Sequence, residues 1–428
     1  MIKASLAQWL ERLESLHPKE MDLGLDRVSV VAHRLGLLPV STPVITVSGT
    51  NGKGSTSAVM EALLVETGSV VGVCSSPHFT RFNERVRIAG AEVEDELIVQ
   101  AFEQIEAARE NTSLTYFEFA TLAALWVFRE QGVEITVLEV GLGGRLDAVN
   151  IVDATVSVVT SVELDHQQWL GDTRDLIAIE KGGIFRSDQI AVIAEPSPPA
   201  SLVELAQDIG VKALYYGRDF YCEETPVAWR PTLSMADGSQ RHMPALPVGP
   251  LLPVNICAAL QALLSLGETF SDEQVHRAVT GIQLRGRREY QEIAGLEYLL
   301  DVAHNPAAVK KLLEYLELTP CNGKTFAIFS AMSDKDIRCM VAACEGRFDA
   351  WFLADQAHNK RAVSATGLAE ILREEGNQMI SLSKNITQAF RRAQSLMRSG
   401  DRLVIFGSFF TVAAVMPLLE KDRRKLTQ

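Results

Sequence analysis

The sequence predicts an α/β protein of two domains, a mainly parallel sheet domain with a phosphate loop followed by a smaller α/β domain. Three observations carry this. Short β-branched runs alternate with helical patterns, which implies a mainly parallel sheet covered on both faces. A glycine-rich segment stands between one such strand and a helix. The 428 residues exceed what one ordinary core holds, so two domains are expected.

Leu6, Trp9, Leu10, Leu13 and Leu16 recur at helical spacing, and Pro18 ends the pattern. Val28, Val31, Ala32 and Leu35 form a second apolar face, with Gly36 as its stop. The period then changes to a strand, Val44-Ile45-Thr46-Val47. Gly49-Thr50-Asn51-Gly52-Lys53-Gly54 follows, and residues 58–64 can propagate a helix. Further buried strands are expected at 69–74, 135–140, 156–159 and 190–193, with a helix over 118–128. Residues 212–250 carry Pro226, Pro231, Pro244, Pro247 and Pro250 and read as a small antiparallel excursion or a long loop. A helix is expected at 255–266. A second α/β pattern begins near Arg285, with strands at 298–302, 325–329, 350–353 and 402–406 and helices at 307–316 and 367–375. The expected domains are 1–284 and 285–428.

Apolar residues make up 47% of the chain and charged residues 22%, as in globular proteins. The net charge of −13 argues against nucleic acid as the main partner, although a local cluster of cations can still hold an anion. No apolar leader with a cleavage site and no stretch long enough to span a bilayer is present, which places the chain in the cytoplasm. The six cysteines are scattered without a C-x-x-C pair and read as buried thiols in a reducing compartment.

Residues 49–55 hold the strongest local signal. Glycines let backbone N–H groups approach phosphate oxygens, and the helix start favours negative charge. Lys53 would bring an ammonium to the β- and γ-phosphates. The match to G-x-x-x-x-G-K-[ST] is imperfect: Val47 stands at the first glycine, Gly54 at the hydroxyl, and Ser55 and Thr56 come later. Glu139 ends the strand beginning at Ile135 and soon meets Gly141-Leu142-Gly143-Gly144. A carboxylate there suits magnesium beside a nucleotide. Ser76 in Ser75-Ser76-Pro77-His78 and His166 in Leu164-Asp165-His166 also follow strand ends. Read alone, Ser76 is a turn serine and Lys181 a surface lysine. Asp301 and His304 read as part of a helix cap, because Asn305-Pro306 opens a helical pattern.

Taken together, these segments resemble the folylpolyglutamate synthase family within the Mur ligase superfamily, and the resemblance covers nearly the whole chain. Its carriers are Asp22-Leu23-Gly24-Leu25, Gly49 to Ser55, Ser75-Ser76-Pro77-His78 and Glu139-Val140-Gly141-Leu142-Gly143-Gly144-Arg145-Leu146-Asp147. Glu180-Lys181-Gly182-Gly183-Ile184-Phe185-Arg186 and Asp301-Val302-Ala303-His304-Asn305-Pro306 complete the set. Each is weak alone; their order and spacing are specific. The chain looks most like the bacterial bifunctional type. The resemblance implies a P-loop-type first domain and a Rossmann-like second domain. It assigns ATP phosphates to Thr50, Asn51, Gly52, Lys53, Gly54 and Ser55, and the rest of the ATP site to Asn255, Arg287 and Asp301. It implies two magnesium sites, Ser76 and Glu139 at one and His166 at the other, with a carbamylated Lys181 supporting the second. A monovalent cation is a further candidate. Lys53, His166 and Lys181 would be the catalytic residues. Asp22, Leu23, Gly24, Leu25, Thr115, Tyr116, Phe117, Glu118, Leu146, Asp147 and Ala148 would line the pterin site, and His304 would face the incoming glutamate. Two departures stand out. The family pattern D-H-T-D-W-L-G becomes Asp165-His166-Gln167-Gln168-Trp169-Leu170-Gly171, and Arg288-Glu289 replaces an aromatic after Gly286-Arg287.

The expected activity is ATP-dependent ligation of L-glutamate to dihydropteroate or a reduced folate through an acyl phosphate, by a monomer that binds neither nucleic acid nor membrane. Closure of the second domain over the first is expected to keep water from that intermediate. The alternative is another amide ligase of the superfamily acting on a peptidoglycan precursor. From a different class comes a nucleotide switch without ligase activity.

Overall fold

The computed structural model describes residues 4–17, 22–225, 227–357 and 359–426. Pro18 and Pro226 lie outside them. The chain divides into two compact units, Met1–Ile282 and Gln283–Gln428.

In the first unit, eight strands form one sheet: β1 (Val44–Ser48), β2 (Val71–Cys74), β3 (Val86–Ile88), β4 (Ala91–Glu92), β5 (Ile135–Glu139), β6 (Val156–Val159), β7 (Ile190–Ile193) and β8 (Lys212–Tyr215). Their order is β4-β3-β2-β5-β1-β6-β7-β8, parallel except for the β3–β4 hairpin at one edge. The central β1 is buried at all five positions, as a strand covered on both faces requires. Its register pairs Val47 with Glu139 of β5 and Ser48 with Val159 of β6. Cys74 of β2 pairs with Leu138. The carboxyl ends of four strands are therefore level, and Ser75-Ser76, Gly49, Val140 and Thr160 leave the sheet side by side. The chain turns from one side of β1 to the other here, the switch point where open α/β sheets bind ligands.

The first expected helix is Leu6–Leu16, started by a capping box between Ser5 and Gln8, with Leu6, Trp9 and Leu13 buried. Trp9 packs against the rings of Phe102 and Phe119. The second helix is Asp26–Arg34. The helix expected over 118–128 runs from Tyr116 to Glu130. Of the stretch 212–250 expected as an antiparallel excursion or loop, residues 212–215 instead form β8 at the edge of the main parallel sheet, and the rest holds a small antiparallel sheet of β9 (Tyr221–Glu224), β10 (Ala228–Ser234), β11 (Gln240–His242) and β12 (Leu246–Pro247).

The second unit holds a six-stranded sheet in the order β13-β14-β18-β15-β16-β17, parallel except for β13. Its strands are β13 (Glu289–Ile293), β14 (Leu296–Leu300), β15 (Thr325–Phe329), β16 (Ala350–Ala354), β17 (Ile380–Ser383) and β18 (Arg402–Phe406). β14 ends two residues before the expected 302, because Asp301 already turns to bind backbone amides. The thiols also depart from expectation: Cys74, Cys257 and Cys344 are buried, Cys222 and Cys321 are half-buried and Cys339 is exposed. Burial pushes the Cys74 and Cys344 thiols up to about 12, so both stay protonated. No helix among the described residues is long and apolar enough to cross a membrane.

Candidate active site

The loop between β1 and the helix Lys53–Thr67 is held by hydroxyls and backbone groups that follow β6. Thr50 N–H donates to the Ser161 carbonyl at 2.8 Å. Thr160 Oγ1 and Ser161 Oγ both donate to the Asn51 carbonyl, at 2.7 and 3.0 Å. Thr50 Oγ1 accepts from Glu163 N–H at 3.0 Å. Two glycines are required. A β-carbon on Gly49, at φ +148°, would stand 1.9 Å from Thr160 Oγ1. One on Gly52, at φ +92°, would stand 2.5 Å from Asn255 Oδ1. Asn255 thus reaches the loop from the helix Pro253–Leu266, where it is buried.

Lys53 Nζ lies over the loop and donates to the carbonyls of Gly49 at 2.8 Å and Thr50 at 3.3 Å. Gly54 stands beside Glu139: a β-carbon there would lie 3.7 Å from both carboxylate oxygens, in ordinary contact. Ser55 is buried in the first helical turn. Ser76 precedes Pro77 through a cis peptide bond beside the end of β5.

Lys181 is not on the surface. It is buried in the helix Arg174–Gly182, and burial, helped by the nearby charge of Lys53 and opposed by Asp165, lowers its amine to about 7. Asp165 is buried, and one of its oxygens accepts from the His166 N–H at 2.8 Å. His166 is half-buried, at φ +51°, and opens the short helix Gln167–Leu170. Lys53 and Asp165 thus lie within electrostatic reach of Lys181, Glu139 stands beside the loop at Gly54, and His166 follows Asp165. The departures Gln167 and Gln168 are exposed. Among the described residues no three His, Cys, Asp or Glu side chains form a ready cation cage. Oxygen donors on separate strand ends instead suit magnesium, which keeps waters and shares phosphate oxygens.

The residues expected at the pterin site gather nearby. Thr115 and Glu118 form a capping box, and Glu118 also pairs with Arg27 at 3.1 Å. Arg27 in turn pairs with Asp22 at 2.8 Å, which ties residues 22–25 to that helix start. The Phe117 ring fills the space beside Gly141, 2.7 Å from where a β-carbon would stand. Leu146 and Ala148 flank Asp147. Asp147 is buried and spends its oxygens on the backbone amides of Gly141, Leu142 and Val149 at 3.0, 2.9 and 3.1 Å. Burial raises its carboxyl to about 6 against those bonds and the charge of Lys53. Asp147→Asn can keep one oxygen on the Gly141 and Leu142 amides, but its NH₂ then faces the Val149 N–H donor. The expected loss is about 2 kcal/mol, or about 4–6 °C in a thermal melt; an unchanged melting temperature would show that the amides find other acceptors.

In the second unit, Asp301 accepts from the amides of Arg288 at 2.9 Å and Ala303 at 2.8 Å. Burial raises its carboxyl, chiefly opposed by Arg287. The helix cap is Asn305, whose Oδ1 accepts from Ala308 N–H at 2.9 Å, so Asp301 is not the cap. His304 Nδ1 lies 2.8 Å from the Val302 carbonyl. Arg288 lies over the Tyr315 ring at 4.9 Å. Sequence reasoning passed over Thr160, Ser161 and Arg27. The first two follow a buried strand, the same signal that singled out Ser76.

A model of the Mur ligase middle domain matches residues 47–224, and one of the Mur ligase glutamate ligase domain matches 286–409. The chain is 40% identical over 420 residues to the dihydrofolate synthase/folylpolyglutamate synthase of Escherichia coli, covering 98% of this chain and 96% of that one. It is 35% identical to the Haemophilus influenzae enzyme of the same description, covering 97% and 98%. The solved structure of E. coli FolC in complex with DHPP and ADP superposes with a TM-score of 0.92 at 40% identity, covering 98% of this chain and 99% of that one. A bifunctional folylpolyglutamate synthase/dihydrofolate synthase with Mn, AMPPNP and L-glutamate bound gives 0.89 at 39%, covering 97% and 98%. Both domain models in chain order and these full-length likenesses agree: the chain belongs to the dihydrofolate synthase/folylpolyglutamate synthase family of Mur ligases.

Proposed function

We infer that the chain is an ATP-dependent ligase that adds L-glutamate to dihydropteroate, forming dihydrofolate, and to the γ-carboxylate of reduced folates, forming folylpolyglutamates. The observation that carries this is Glu139 facing the phosphate loop at Gly54, with the charge of Lys53 reaching both Asp147 and Lys181. One sheet edge thus offers a triphosphate cradle, a metal carboxylate and a second, convertible ligand group.

In the reaction, a carboxylate oxygen of the acid substrate attacks the γ-phosphorus of ATP, and ADP leaves. The α-amine of glutamate then attacks the acyl carbon and inorganic phosphate departs, leaving an amide and a released proton. Residues 49–55 orient the triphosphate through backbone N–H groups, and Lys53 offsets the charge that gathers in line. A divalent metal, magnesium on this reading, neutralises phosphate charge when bound; Ser76 and Glu139 would hold one ion and His166 a second. Lys181 is near neutrality at physiological pH, which favours attack of its amine on CO₂ to give a carbamate and a proton. That carbamate would serve the second ion. A monovalent cation remains part of the proposal on family resemblance alone.

The first unit on this reading binds ATP and pterin, with Asp22 to Leu25, Thr115 to Glu118 and Leu146 to Ala148 near the pterin. Asn255 acts at the loop. In the second unit, Arg287 and Asp301 serve the nucleotide and His304 the glutamate. The protein works as a cytoplasmic monomer on small molecules. ADP release in a substrate panel tests the reading. Release is expected only when dihydropteroate or a reduced folate and glutamate are both present. Release with a peptidoglycan precursor instead, or ATP turnover indifferent to both substrates, would overturn it.

A further inference from the structure

We propose that Arg85 anchors the carboxylate of the acid substrate, and this rests on the ligase reading above. Arg85 ends the short turn Phe82–Arg85 between β2 and β3. Its guanidinium lies over the rings of Phe82 and Tyr116, at 5.8 and 5.5 Å. Nε donates to Nδ1 of His78 at 2.8 Å, so that nitrogen carries no proton. Among the described residues Arg85 forms no ion pair, and no protein acceptor meets its two Nη groups.

The neighbouring carboxylates are committed elsewhere. Glu84 accepts from the amides of Phe79, Thr80 and Arg81 at 2.7, 2.7 and 2.8 Å. Glu61 is held by Arg87 at 2.7 Å. Arginine keeps its charge inside proteins, and Arg85 is half-buried, so a partly desolvated cation without an ion-pair partner is costly. An incoming anion would relieve that cost. The position fits: the charges that Arg85 feels include Tyr116 and Glu139, one expected at the pterin wall and the other at the metal. A planar fork matches a carboxylate better than a point charge does, and the half-buried Tyr116 ring suits the aromatic stem of a pteroyl acid, Phe82 itself being buried. Each carboxylate oxygen held by the fork keeps a second lone pair, and one of these is left to meet phosphorus.

The test compares a pteroyl acid with its uncharged carboxamide. Binding to the full chain with ADP present is measured by calorimetry, for wild type, Arg85→Gln and Arg85→Lys. Wild type is expected to prefer the acid by about 10-fold or more. Arg85→Gln should lose that preference by weakening acid binding alone, Arg85→Lys should keep part of it, and KM for ATP should stay within about threefold. Should Arg85→Gln not fold, partial loss of preference in Arg85→Lys carries the same test. An undiminished acid-over-carboxamide ratio in the variants overturns the anchor. Wild type that binds neither compound overturns the ligase reading instead.

Discussion

Lys53→Met is expected to lower kcat/KM for ATP by about 10²–10³-fold while the fold survives, the range for removing one charge aimed at a transition state. The lysine stands at the first position of its helix, and its ammonium holds the Gly49 and Thr50 carbonyls. Both bonds are local, so losing them should cost little stability. Methionine keeps the length of the stem and removes the charge. The loss is therefore electrostatic, and it should appear in kcat more than in the affinity for the pterin acid. Steady-state kinetics at saturating acid and glutamate would check this. A loss under about 10-fold would mean that the loop amides alone carry the phosphates.

Lys181→Ala is expected to cost about 10²-fold or more at pH 8, and wild-type activity should depend on dissolved CO₂. The side chain is buried, and its amine sits at about 7 instead of 10.5. Only the neutral amine reacts with CO₂, so wild-type activity should climb between about pH 6 and 8. CO₂-free buffer should depress wild type reversibly and leave the residual activity of Lys181→Ala unmoved. Activity indifferent to CO₂ would sink the carbamate. In CO₂-free buffer the stability slope has a definite sign. Between about 7 and 10.5 the unfolded chain holds a proton that the folded chain lacks, so stability rises with pH across that window. Lys181→Met should flatten that rise in denaturant melts.

The central strands were legible and the edges were not. β15 and β18 have the expected ends, and each is a nearly continuous apolar run buried on both faces. β3, β4, β13 and β17 were missed because they lie at or next to sheet edges, where polar residues such as Arg87, Glu92, Gln291 and Ser381 interrupt the pattern. The candidate site was legible where a glycine or a carboxylate stood at a strand end. Lys181 shows the limit: read alone it is an exposed cation, and only the packing of its helix makes it a buried, near-neutral amine. Thr160 and Ser161 show another, since two hydroxyls after a strand gain meaning only when the β1–β6 register sets them against the loop.

The helix behind the phosphate loop has no water-facing side along most of its length: residues 55–61, 63 and 64 are buried. The sheet lies on one flank, and the helices Pro253–Leu266 and Asp272–Gly281 cover another. Arg277 and Gln274 clip the last turn through Glu66, at 3.0 and 3.1 Å. The cradle is thus mounted in a sandwiched, low-permittivity bed instead of on a surface helix. The helix dipole and the lysine charge are screened less by solvent from behind, so the field they raise is directed out through the mouth where a triphosphate would enter.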